Sequence, residues 1–156
     1  MTTTTKAPAS DNPRDNDKPA IAADAEMSAG PGADVILAHQ LTGYAVVTPA
    51  DEKLGVIEGI MLDIQSGRIA YAVLSFGGFL GMGDKLFAIP WTALTLDLSV
   101  GHFILNVSKA DLERAPGFDR DHWPAMSDSQ WATQVHGFYD VVPYWRMTER
   151  SSQIRF

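Results

Sequence analysis

The chain has 156 residues, 46% of them hydrophobic, enough for one packed domain without metals or cross-links. It has no cysteine, which excludes a disulfide framework, a thiolate zinc site and a thiol nucleophile, and fits a reducing cytoplasm. A formal net charge of −7 disfavours nonspecific binding to phosphate backbones or anionic lipid, and nucleic acid is not expected as a partner.

No stretch reaches the roughly 18 apolar residues needed to span a bilayer, and no apolar signal core follows Lys6, so direct membrane insertion is not expected. Residues 1–34 are mostly Thr, Ala, Pro, Asp, Asn and Gly, with Pro8, Pro13, Pro19 and Pro31 as breakers. Such a segment buries too little apolar surface to offset the entropy of ordering it, and is read as a disordered tail. The folded domain is expected over 35–147, followed by a flexible C-terminus over 148–156.

Leu41–Val47 reads as the first strand, stopped by Thr48 and Pro49. The run from Gly55 to Ile64 is a second strand whose alternation slips at Glu58, Gly59 and Ile60. A slip at a glycine predicts a bulge, and a bulge bends a strand as a small barrel requires. Gln65, Ser66 and Gly67 close a hairpin onto Arg68–Phe76, which is apolar on both alternating sets and therefore predicted to be covered on both faces.

After the glycine-rich loop from Gly77 to Gly83 come Leu86–Ile89, then the alternating Leu94, Leu96 and Leu98, then Phe103, Leu105 and Val107. Short strands at this spacing indicate a barrel or sandwich. Ser108 with Asp111 approximates a capping box, which predicts a short helix over Lys109–Arg114 ended by Pro116 and Gly117. From Phe118 to Trp145 regular periodicity is lost but aromatics are dense. The expectation is an irregular wrap held to the body by Trp131 and Trp145, with a short helix from the N-cap Asp128 to about His136.

The succession Leu41–Val47, Lys53-Leu54-Gly55, Arg68–Leu74 and Ala88-Ile89-Pro90-Trp91 resembles the PRC-barrel family. The likeness to its stand-alone bacterial members continues through Ala115–Asp119 and His136–Tyr139 to Pro143-Tyr144-Trp145. The resemblance implies a mostly β fold: a small PRC-type β-barrel with a short helix and an irregular, aromatic-rich C-terminal wrap. It implies no activity. Relatives include the cytoplasmic domain of the photosynthetic reaction-centre H subunit and the C-terminal domain of the ribosome maturation factor RimM, which act through protein contacts.

No catalytic or metal set is expected. The loop Gly77–Lys85 has the glycine density of a phosphate cradle, but Asp84 separates Gly83 from Lys85 and a strand follows where a P-loop needs a helix. His39, His102, His122 and His136 lack zinc spacing. Asp119, Asp121 and His122 cluster around Arg120 and read as a solvated loop. Glu58 and Asp63 are not brought together by strand parity, and Ser75 and Ser108 have no identifiable base. Trp123, Trp131, Tyr139, Tyr144 and Trp145 lack the interleaved basic residues that base stacking requires.

The expected function is therefore a non-catalytic protein-interaction or assembly module, without a cofactor and forming a homo-oligomer. Its expected partner-binding residues are Phe79, Leu80 and Met82, apolar side chains on a glycine-flanked loop. One rival is a small-ligand or cofactor-binding barrel, which fails if Val46, Ile57, Val73, Ile89 and Leu105 fill the interior. Another is an accessory subunit of a membrane photosynthetic or electron-transfer complex.

Overall fold

The structure is a computed structural model that describes residues 35–77, 85–147 and 154–155. Its strands are β1 (Ala45–Val47), β2 (Lys53–Asp63), β3 (Arg68–Phe76), β4 (Lys85–Pro90), β5 (Leu94–Asp97), β6 (His102–Leu105), β7 (Gly117–Phe118) and β8 (Ile154–Arg155). The helices are α1 (Lys109–Arg114) and α2 (Ser129–Phe138). Among the described residues the strands form one sheet in the order β7-β4-β3-β2-β1-β6-β5-β8, whose ladder ends at β7 and β8 without closing. The tail 1–34 lies outside the described residues. Of the stretch expected to be a flexible C-terminus, only Ile154 and Arg155 are described, and they pair in parallel with Leu96 and Asp97 of β5.

β1 to β4 make an antiparallel meander, and the β5–β6 hairpin returns so that β6 pairs in parallel with β1. The expected strand over Leu41–Val47 is shorter than its apolar run. Leu41 instead closes a 3-10 turn, Ala38–Leu41, and is buried there. The predicted bulge is present: Ile57 faces Leu74 and Gly59 faces Val73, so Glu58 has no opposite residue. A second irregularity lies on the partner strand: Met61 faces Tyr71 and Leu62 faces Ile69, so Ala70 of β3 has no opposite residue.

β3 is buried continuously from Ala70 to Ser75, as its two-sided apolar pattern requires, and β4 from Leu86 to Pro90. One face of these strands meets the interior, and the face carrying Tyr71 is covered by α2, whose Trp131 and His136 rings each lie 5.5 Å from the Tyr71 ring. β5 and β6 alternate: Leu94, Leu96, Phe103 and Leu105 point inward, while their neighbours are half-buried. Gly55 marks the tightest backbone approach, since a Cβ there would lie 2.0 Å from the Ser75 carbonyl oxygen.

α1 starts on Ser108, whose hydroxyl accepts from the Asp111 amide at 3.0 Å and donates to the Asp111 carboxylate at 2.6 Å. α2 starts on Asp128, which accepts from the amides of Gln130 and Trp131, and runs two residues beyond the expected His136. Its inward stripe of Trp131, Ala132, Val135 and His136, continued by Tyr139 at the C-cap, has helical spacing. The aromatic-rich segment thus contains a full amphipathic helix within an otherwise irregular path.

Candidate functional site

The interior offers no room for a ligand at the positions that decide the question. Val46, Ile57, Val73, Ile89 and Leu105 are each 2% exposed or less and belong to one continuous hydrophobic cluster. Binding therefore has to be sought on the outside. There, a cleft of about 450 Å³ opens between the tip of the β2–β3 hairpin and the C-terminal segment.

The tip is held by one carboxylate. Asp63 Oδ1 accepts from the amides of Gln65 (3.0 Å) and Ser66 (3.3 Å), and Oδ2 accepts from the Ser66 hydroxyl (2.9 Å) and the Tyr144 hydroxyl (3.3 Å). These bonds, the Ser66 hydroxyl foremost, hold its pKa below the ordinary carboxylate value. Gly67 supplies the left-handed backbone, φ +68°, that lets its amide reach the Asp63 carbonyl at 2.8 Å. Opposite Asp63 in the ladder, Arg68 donates from Nη1 to the carbonyls of Tyr144 (2.7 Å) and Met147 (3.1 Å). The hairpin thus carries the 3-10 turn Tyr144–Arg146 on its end.

Behind the cleft lies an aromatic cluster. His136, 1% exposed, has its Nδ1 2.7 Å from the Ala132 carbonyl, which assigns the proton to Nδ1 in the neutral ring. Its Nε2 and the hydroxyls of Tyr71 and Tyr139 are buried without a hydrogen-bond partner among the described residues. Burial lowers the His136 pKa and raises those of Tyr71 and Tyr139. Trp145, expected as a buried anchor, is 42% exposed and lies edge-on to the His136 ring at 5.0 Å. Trp131 is half-buried against Tyr71.

Chemically, Asp63 is a structural anchor that accepts four hydrogen bonds and keeps its negative charge, while His136 is sealed beneath its neighbours. Glu58 and Asp63 are not brought together. Glu58 instead takes both guanidinium nitrogens of Arg120, at 3.1 and 2.5 Å, tying the bulge to the loop after β7. That pairing leaves the Asp119, Asp121 and His122 loop exposed around it, and no group of potential metal ligands is found among the described residues. Ser75 is buried in β3 and Ser108 caps α1. Trp123 donates to the Arg120 carbonyl at 2.7 Å and packs against Phe118 with the rings tilted by 52°. Phe79, Leu80 and Met82 lie outside the described residues. Sequence reasoning passed over Leu62 and Ile64, 59% and 93% exposed at the cleft mouth. The available signal was an isoleucine inside a turn, where water-facing residues are usual.

Among the described residues, no helix is long and apolar enough to cross a membrane. The model of the PRC-barrel domain family matches residues 33–112. No curated protein matches the chain. Among solved structures, it is similar to a protein of Pseudomonas aeruginosa assigned as the 16S ribosomal RNA processing protein RimM, with 22% identity and a TM-score of 0.34. That alignment covers 48% of this chain and 45% of the other, so the chain spans less than half the length of the protein it matches.

Proposed function

The chain belongs to the PRC-barrel domain family, and we propose that it works as a non-catalytic protein-interaction or assembly module that self-associates in the cytoplasm. The observation that carries this reading is the contrast between a filled interior and uncovered apolar side chains outside. Val46, Ile57, Val73, Ile89 and Leu105 occupy the space a ligand would need, whereas Leu62, Ile64, Val142 and Trp145 remain exposed at the hairpin tip and along the C-terminal segment. Leu62 and Ile64 are neighbours on the rim of the cleft, and adjacent uncovered apolar side chains make a surface suited to contact with another protein.

Phe79, Leu80 and Met82 are proposed as a further part of the contact surface, on their apolar character between glycines. A protein partner is favoured over nucleic acid by the net charge of −7, and the absence of cysteine from the sequence suits a reducing compartment. Native pull-down with mass spectrometry, paired with sedimentation of the purified chain, tests the reading. The expected result is a stable protein complex, with itself or another chain, weakened by joint substitution of Phe79, Leu80 and Met82 by Ser while the melting midpoint holds. A strictly monomeric chain with no retained protein would overturn the reading; unchanged assembly in the triple variant would remove only the loop from it.

A further inference from the structure

Resting on that reading, we infer that the β2–β3 hairpin tip and the cleft beside it form a two-fold contact with a second copy of this chain. Knob and hole lie on one patch. Leu62 and Ile64 project into solvent, 59% and 93% exposed, and the cleft they border is walled by Met61, Tyr71, Met126 and Tyr144. A two-fold interface sets one patch against its own copy, so each chain must offer both the projecting and the receiving surface side by side. The methionines in the wall suit an aliphatic side chain arriving from outside, because an unbranched thioether repacks at little cost.

The charges are complementary under the same operation. Asp63 and Arg68 face each other across the hairpin ladder. A two-fold axis passing between them sets Asp63 of each copy against Arg68 of the other. Arg68 uses Nη1 on the carbonyls of Tyr144 and Met147, which leaves further donors on a guanidinium that carries five. Among the described residues, Arg68 has no salt bridge to a carboxylate. Among the described residues, Asp63 is the one carboxylate in the cleft wall. On a chain of net charge −7, this patch can meet its own copy without stacking like charges.

Sedimentation equilibrium on the full chain tests the inference. Ile64→Glu alters a side chain that touches almost nothing in the monomer, so folding is retained, and dimer dissociation is expected to strengthen by at least about tenfold. Asp63→Lys and Arg68→Glu are each expected to weaken self-association. Mixed together, the two variants recreate both opposite-charge contacts across the axis and are expected to form a heterodimer tighter than either variant alone. Mixing repairs nothing within a single chain, so this rescue separates a contact between copies from a stabilised hairpin. A wild-type dimer indifferent to Ile64→Glu, or a mixture no tighter than its components, overturns the two-fold face. If that dimer is instead lost in the Phe79, Leu80 and Met82 variant, the assembly reading survives without this face. A wild-type chain that stays monomeric at its highest soluble concentration overturns the inference, and a hetero-complex in the pull-down would then leave the broader reading standing.

Discussion

Along β3 and β4, every side chain from Ala70 to Ser75 and from Leu86 to Pro90 is buried, mostly as aliphatic bulk in a hydrogen-bonded ladder. The segment from Phe118 to Met147 is attached otherwise. It uses the inward stripe of α2, edge-on aromatic contacts around Tyr71 and His136, and a few side-chain hydrogen bonds at Arg68, Asp63 and Arg120. It also seals polar atoms without partners, which the central strands do at Tyr71, where the two regions meet. Burial of aliphatic area is insensitive to pH and salt, whereas a contact built on a neutral histidine and on ion pairs is sensitive to both. The barrel therefore sets global stability, and the wrap is the part that conditions can loosen.

The comparison breaks most directly at Phe87, fully buried beneath Phe76. Phe87→Ala is expected to cost about 3–5 kcal/mol, seen as a lower denaturation midpoint with a single cooperative transition. Gly55→Ala should follow closely. The added methyl meets the Ser75 backbone oxygen and not a yielding side chain, so the strands must part, at a cost of about 1–3 kcal/mol or more. A Gly55→Ala variant that melts like the parent would show that the two strands do not approach as described.

For the wrap, the sharper instrument is pH. His136 has its pKa lowered by burial, so the unfolded chain binds a proton more readily than the folded one. Its contribution is fully present above the unfolded value of about 6.5 and is lost as pH falls below it, by up to about 1.4 kcal/mol per pH unit, until the folded pKa is passed. Asp63, Asp97 and Asp111, whose pKa values are lowered by hydrogen bonds from Ser66, Ser99 and Ser108, add their loss only below about pH 4. Chemical denaturation between pH 7 and 5, followed by tryptophan fluorescence, should show this fall, and His136→Gln should flatten it. An equal slope in the variant would relocate the effect.

Much of the barrel was legible because its signals are local. The bounds of β3 and of α1 follow from a two-sided apolar run and from Ser108 with Asp111, and the bulge at Glu58 from a phase slip. Leu41 was harder, since an apolar residue before a strand can as well plug the sheet from a 3-10 turn. The inward stripe of α2 is written in Trp, His and Tyr, whose polar atoms disguise its period. Least legible were the contacts that shape the cleft. Arg68 reaches Tyr144 across 76 positions and Arg120 reaches Glu58 across 62, and no periodicity links residues so far apart.

The smallest expected effect is the most specific to the boundary between the two regions. Arg120 grips Glu58 with two nitrogens, and Glu58 is available only because the bulge leaves it without a cross-strand neighbour. The guanidinium is about half exposed, so screening reduces the pair to about 0.3–1 kcal/mol. Glu58→Gln, Arg120→Met and the double variant form a cycle whose coupling energy is expected in that range and should shrink as salt is raised. The readout should also be local. Because the pair joins the bulge to the loop carrying Trp123, whose indole donates to the Arg120 carbonyl, loosening it should raise quenching of Trp123 before the melting midpoint moves. A coupling near zero with unchanged quenching would mean that the tilted contact of Trp123 with Phe118 holds the loop without ionic help.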